Sequence, residues 1–197
     1  MKVVIIKYNA GNIRSVLFAL ERIGVNAIVT DNHEEIRTAD RVIFPGVGEA
    51  SSAMQFLKEK GLDELICSLT QPVLGICLGM QLLCKFSEEN NTHCLGIFDE
   101  TVKRFPDTVG FKIPQIGWNN IFGLKSKLFD GVSENSFMYF VHSFYVESCS
   151  NAIAKTDYIA QFSSAMQKNN FYAMQFHPEK SGEAGQRILE NFILLRV

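Results

Sequence analysis

The first hundred positions alternate short apolar, β-branched runs with segments whose apolar residues recur at helical spacing. Val3 to Ile6 reads as a buried strand. Asn12 is placed to cap a helix whose Ile13, Val16, Leu17 and Leu20 follow the i, i+3, i+4, i+7 rule until Gly24 stops it. Residues 27–29 and Arg41–Phe44 read as further strands. Pro45-Gly46-Val47-Gly48 is then a turn-prone loop before a helix over about 50–60, which Gly61 breaks. Val73–Ile76 is another short strand, joined through Cys77 to a helical run over 78–86. Strands alternating with helices in this way predict parallel pairing through right-handed crossovers.

From Thr101 onward the pattern changes. The pieces 137–141, 152–155, 159–166 and 171–176 are alternating or aromatic and strand-like, and a closing helix follows over about 183–195. There is no internal repeat, low-complexity tract or Pro- or Ser-rich linker to separate the halves. The expectation is one α/β domain spanning 1–197: an open, mostly parallel sheet flanked by helices, with additional antiparallel strands in the C-terminal half.

Composition narrows the class of function. With 47% hydrophobic and 20% charged residues over 197 positions, the chain can bury a sizeable core, and neither a disordered nor a fibrous protein is credible. Nineteen basic against 21 acidic residues leave a formal charge of −2, which supplies no footprint for nucleic acid or an anionic membrane. The apolar runs fall short of the roughly 20 residues a bilayer span needs, and residues 1–6 run into Lys7 without a cleavage site. Five cysteines (Cys67, Cys77, Cys84, Cys94, Cys149) match neither a zinc pattern nor a disulfide framework. A reducing cytoplasm is the expected setting, with no metal and no cofactor.

One cysteine has a distinctive context. Gly75-Ile76-Cys77-Leu78-Gly79 is a G-x-C-x-G sequence at a predicted strand-to-helix joint, the thiol counterpart of the turn that exposes a nucleophile in α/β hydrolases. Small flanking residues would let strand and helix close around strained backbone, and a helix N-terminus beneath Cys77 would favour the thiolate. A buried cysteine in a Gly-flanked turn fits the same pattern equally well. A catalytic thiol also wants a base. His33 and His93 sit in polar stretches that read as surface, and His142 lies in an aromatic strand where a structural role is at least as apt. His177 differs, because Pro178 holds it extended after a strand and Glu179, two residues on, faces the same way to orient its ring.

Cys77 in Gly75-Ile76-Cys77-Leu78-Gly79-Met80-Gln81, together with the distant His177-Pro178-Glu179, resembles the class I, triad-type glutamine amidotransferases. Four further segments are similar to the branch that feeds ammonia to a cyclase in histidine biosynthesis: Tyr8-Asn9-Ala10-Gly11-Asn12 with Arg14-Ser15, Phe44-Pro45-Gly46-Val47-Gly48, Pro114-Gln115-Ile116-Gly117-Trp118-Asn119, and Tyr139-Phe140-Val141-His142-Ser143. Asn9 stands where the family more often has Gly, and Gln115 where it more often has His.

The resemblance implies hydrolysis of L-glutamine to glutamate. The ammonia would pass, within a heterodimer, to a TIM-barrel cyclase that makes imidazole glycerol phosphate and the aminoimidazole carboxamide nucleotide AICAR. It implies Cys77 as nucleophile, His177 as acid and base, and Glu179 as the orienter of His177. Gln81 and Glu89 would hold the amino-acid end of the substrate together with the backbone around Ser143 and Phe144. Leu78 and Gly48 would supply N–H groups to the oxyanion, the second from a loop whose Gly-flanked peptide can rotate. Asn12, Trp118 and His142 would mark the faces turned to the partner. Two rival readings within reach of the same residues are a glutaminase feeding another synthase and a stand-alone thiol hydrolase.

Overall fold

All four side chains of β1 (Val3–Ile6) are buried, which a strand achieves at the centre of a sheet covered on both faces. The computed structural model describes residues 1–9 and 11–195; Ala10 of the first loop lies outside the described residues. After β1 come α1 (Ile13–Arg22), β2 (Ala27–Thr30), α2 (His33–Arg37), β3 (Arg41–Phe44), α3 (Ala50–Glu59), α4 (Leu62–Ser68), β4 (Val73–Ile76) and α5 (Leu78–Leu83). The second half contributes β5 (Cys84–Ser87), β6 (Thr92–His93), β7 (Phe98–Arg104), β8 (Gln115–Asn120), β9 (Phe137–His142) and β10 (Phe144–Val146). It ends with β11 (Ala152–Asp157), β12 (Gln161–Lys168), β13 (Phe171–Met174) and α6 (Gly182–Leu194).

A seven-stranded sheet runs in the order β11-β12-β13-β4-β3-β1-β2. The five strands from β13 to β2 are parallel, while β12 and β11 join antiparallel at one edge. This is the expected mostly parallel sheet with antiparallel additions. The C-terminal half goes further, because it also builds a four-stranded sheet, β10-β7-β5-β6, and the separate hairpin pair β8-β9.

Side-chain alternation along the parallel strands splits the interior in two. Val3, Ile5, Ile43, Leu74 and Ile76 point into one core with α1 and α6, and Val4, Ile6, Val42, Phe44 and Val73 into the other with α3, α4 and α5. Each large side chain fully withdrawn from water, such as Phe44 or Ile5, contributes about 2 kcal/mol.

One local expectation is corrected, and two short helices that the pattern did not show are added. The helix predicted over 78–86 stops at Leu83, because Cys84 turns extended and β5 pairs with β6 and β7, so tertiary pairing overrides a helical pattern. Gly61 breaks one helix but, in left-handed backbone at φ 63°, also starts α4. The five-residue α2, capped by the Asn32 side chain accepting from the Glu35 N–H at 3.0 Å, is too short to leave a periodic signature.

A close backbone approach lies where α5 crosses β3. A Cβ on Gly79 would run into the backbone carbonyl of Phe44, and one on Gly75 would come within 2.7 Å of Leu83 and 3.0 Å of the Gly79 backbone. Backbone in the centre of a sheet has no room to retreat. Gly79→Ala should therefore destabilise the protein by about 2 kcal/mol or more, read as a lower urea midpoint at unchanged slope; an unaltered midpoint would show that the contact can relax.

Candidate functional site

The register of β4 against β13 sets Ile76 opposite Met174, so the residues that follow each strand meet at the carboxyl edge of the sheet, where open α/β sheets bind ligands. Cys77 leaves β4 at that edge, its N–H donating to the Met174 carbonyl at 2.7 Å. Its backbone is strained at φ 53°, ψ −107°, a combination that costs on the order of 1–3 kcal/mol and persists where the surroundings enforce it. Gly75 and Gly79 are the enforcement. The joint expected from the sequence is thus present, with α5 starting at Leu78 and the Gln81 N–H closing its first turn on the Cys77 carbonyl at 3.2 Å.

His177 leaves β13 two residues beyond the point opposite Cys77. Its backbone is extended, as the following proline requires, and its N–H donates to the Tyr139 carbonyl at 2.9 Å while its carbonyl accepts from Ser181 Oγ at 2.6 Å. Glu179 reaches the ring through a short 3-10 turn, Pro178–Lys180, rather than by strand alternation. The His177 Nδ1–H donates to Glu179 Oε1 at 2.8 Å, with both side chains buried. Nε2 is left to exchange protons, and Cys77 is the acidic group that faces it. Burial alone would lower this ring's proton affinity; hydrogen bonding and charge from Cys77 and Glu179 outweigh it and raise the pKa to about 10.

Asn12 does something the capping rule did not foresee. It precedes α1 but sits in left-handed backbone, φ 73°, without a side-chain cap. Its amide Nδ2 instead donates to Glu179 Oε1 at 2.5 Å, so the oxygen that orients His177 is held from two sides.

A cavity of about 250 Å³ opens at Cys77, and its lining includes every expected oxyanion and substrate residue: Gly48, Leu78, Gln81, Glu89, Ser143 and Phe144. It is smaller than the roughly 300–1,000 Å³ of sites for drug-sized ligands, a size suited to a single amino acid. Gln81 Nε2 donates to the Phe144 carbonyl at 3.2 Å and to Gln175 Oε1 at 3.0 Å, leaving its own oxygen as an acceptor. Glu89 accepts the Ala50 N–H on Oε2 at 2.8 Å. Burial raises its pKa, with that N–H opposing and the Glu49 charge reinforcing. Two acceptors facing one cavity suit the ammonium end of an amino acid.

The loop 45–48 is held by three consecutive carbonyls. Pro45 accepts from the Tyr8 hydroxyl at 2.5 Å, Gly46 from the Leu78 N–H at 3.2 Å, and Val47 from the Gly11 N–H at 3.1 Å. The Leu78 N–H, an expected oxyanion donor, is therefore engaged with the loop in this structure. Gly48 has φ 143°, which favours glycine.

His142 is buried, not turned to a surface face. It packs among Phe105, Phe140 and Phe162, and its Nδ1–H donates to the Phe144 carbonyl at 2.8 Å. Burial pulls its pKa down to about 4, with the Phe144 carbonyl opposing and His177 adding to the fall. It is a neutral ring, unlike His177. On the hairpin outside, Ile116, Trp118 and Phe137 are 64%, 56% and 61% exposed, an apolar patch of the kind that marks an interaction surface. Asn12 and Gln175 were missed as site residues. Gln175 left only its position two residues before His177 as a signal.

The family model for glutamine amidotransferase class-I matches residues 4–195. The chain is 61% identical over 196 residues to an imidazole glycerol phosphate synthase subunit HisH from Bacteroides fragilis, covering 99% of this chain and 100% of that one. It is 46% identical over 194 residues to the Haemophilus influenzae protein of the same name, covering 98% and 97%. A solved glutamine amidotransferase superposes with a TM-score of 0.74 at 17% identity, over 97% of this chain and 99% of that one. PurLQS from Thermotoga maritima gives 0.69 at 15%, over 98% and 97%. The last two share the fold.

The raised affinity of His177 predicts its titration. The ring should keep its proton from its ordinary value near 6.5 up to about 10, followed by the ring carbon and nitrogen shifts in NMR, and Glu179→Gln should bring the midpoint down. A folded pKa above the unfolded one stabilises the fold fully below pH ~6.5, and that contribution is lost as pH rises through about 10. A midpoint near 6.5 in the folded protein would exclude this arrangement.

Proposed function

This chain belongs to the class-I glutamine amidotransferase family, and from that premise we propose how it works. Relatives 45–61% identical along the full length make it an enzyme of glutamine hydrolysis in histidine biosynthesis, a subunit of imidazole glycerol phosphate synthase. We propose that Cys77, His177 and Glu179 form the catalytic triad of a single domain, 1–197. The ammonia passes to a TIM-barrel cyclase subunit in a cytoplasmic heterodimer. Among the described residues no helix is long and apolar enough to cross a membrane. The observation that carries the reading is the strained Cys77, beside a His177–Glu179 pair, in an amino-acid-sized cavity.

The chemistry follows from the donors available. The Cys77 thiolate attacks the carboxamide carbon of glutamine, and the carbonyl electrons move onto oxygen. His177 Nε2–H protonates the departing nitrogen as the carbon–nitrogen bond breaks, leaving a thioester on Cys77 and releasing ammonia. The neutral ring then takes a proton from water as it attacks the thioester, which frees glutamate and restores the thiol pair. Glu179, held by Asn12, keeps Nδ1–H oriented throughout. His142 is too weak a base for either transfer.

The oxyanion needs donors that the resting loop withholds. Rotating a peptide in 46–48 would release the Leu78 N–H from the Gly46 carbonyl and turn a second N–H, near Gly48, toward the cavity. Each preorganised donor contributes roughly 3 kcal/mol, about a hundredfold in rate. The exposed apolar hairpin at Trp118 and the loop before Asn12 are where a cyclase would bias that rotation.

Cys77→Ala should abolish glutamate release while synthesis from externally supplied ammonia survives in the complex. Retained glutamine-dependent turnover would overturn the assignment. His177→Ala should cost more than Glu179→Gln, because one moves protons and the other orients; wild-type rates in both would exclude the triad. For the gate, glutamate release is compared for the isolated chain, the complex, and the complex with the cyclase's nucleotide substrate. A rise of at least about a hundredfold, the share of one donor, is expected across the series, and equal rates in all three would refute gating.

A further inference from the structure

We propose that Gln175 is a catalytic residue: its side-chain amide donates a hydrogen bond to Cys77 Sγ and holds the sulfur as an oriented thiolate. The proposal rests on the reading of Cys77 as nucleophile. Gln175 is fully buried, and the strand register that sets Ile76 opposite Met174 sets the next pair, Cys77 and Gln175, side by side. Its Nε2 lies 3.6 Å from Cys77 Sγ, within hydrogen-bonding range for sulfur.

Which end of the Gln175 amide meets the sulfur follows from a fixed point in the backbone. The Phe144 carbonyl can only accept, so the Gln81 atom 3.2 Å from it is the nitrogen. That same nitrogen sits 3.0 Å from Gln175, which must present its oxygen there. The nitrogen of Gln175 is thereby turned to Cys77. A reversed amide would set oxygen against sulfur and two NH2 groups against each other. When the sulfur carries its proton, the S–H has its own acceptor, the Val141 carbonyl at 3.8 Å, so Gln175 is the donor that remains when the proton leaves.

A neutral donor does this without adding charge to the pocket. A buried cation in the same place would bind the thiolate harder and slow its attack, and an apolar side chain would leave the ionised sulfur with His177 alone. Gln81 consequently has a second task, as the positioning residue that keeps Gln175 from rotating.

The test reads the sulfur rather than turnover. Alkylation of Cys77 by iodoacetamide is followed across pH 5 to 10 in the full chain, with the modified residue located by mass spectrometry. Gln175→Met keeps the length and removes the donor; alkylation at pH 7 should slow about tenfold and recover at high pH, where the thiolate forms unaided. Gln81→Met leaves Gln175 in place with its amide free to turn, and should shift the profile the same way by a smaller factor, so the idea is tested even if the first variant does not fold. A wild-type profile in a folded variant, or an equal slowing at every pH, would overturn the proposal. Neither outcome bears on whether Cys77 is the nucleophile, which Cys77→Ala decides.

Discussion

The pairing of β4 with β13 is the constraint on which the site depends. These strands are almost a hundred residues apart in sequence, yet their register delivers Cys77, Gln175 and His177 to one edge. A slip of one residue would turn every side chain of β13 to the opposite face. The slip is resisted by both cores at once, since each strand contributes residues to each side of the sheet. The geometry of the proposed triad is therefore held by the same burial that holds the fold, and strain at Cys77 is tolerated because relieving it would mean moving β3 away from α5.

What could be read from the residues alone divides along a physical line. The parallel core was legible because fully buried strands write continuous apolar runs, whereas the glycines around Cys77 alone fitted a buried cysteine equally well and became legible as an elbow only together with the distant His177-Pro178-Glu179. The proposed triad members stood out by their neighbours. The four-stranded sheet of β5, β6, β7 and β10 was not legible, since Cys84 to Ser87 continues a helical pattern and its strand state comes only from partners distant in sequence. Asn12 misled for a similar reason. It has the residue type and position of a helix cap, but a buried carboxylate offers its amide a charged acceptor, and a charge-assisted bond outweighs an ordinary cap. Gln175 was invisible because a lone glutamine just past a strand end has no pattern of its own; the contact with Gln81 had to be seen.

Two histidines near one cavity show how the surroundings divide the labour. His177 and His142 are both buried, and desolvation acts against a charge on each. The difference is the partner. His177 has a carboxylate on one nitrogen and a thiol at the other, and its proton is held to about pH 10; His142 has a carbonyl and an aromatic cage, and falls to about 4. A ring that is neutral at physiological pH would not compete for the proton that the proposed mechanism moves between sulfur, nitrogen and water. The separation of the two values, rather than either alone, is what favours His177 over His142 in the proposed proton path.

The loop 45–48 connects this chemistry to whatever lies beyond the chain. Its three carbonyl contacts each contribute about 1 kcal/mol net, and only the one to the Leu78 N–H must break to expose an oxyanion donor worth roughly three times as much in the transition state. The resting loop is thus held firmly enough to keep the donor covered and loosely enough to be moved. A differential binding energy of a few kcal/mol, well within what a protein interface supplies, is sufficient to shift such an equilibrium. Because Tyr8 and Gly11 hold the same loop while Asn12 holds Glu179, the segment before α1 touches both halves of the machinery. A partner pressing on that one segment would act on the proposed oxyanion site and on Glu179 together, and would so couple hydrolysis to assembly without any element having to move far.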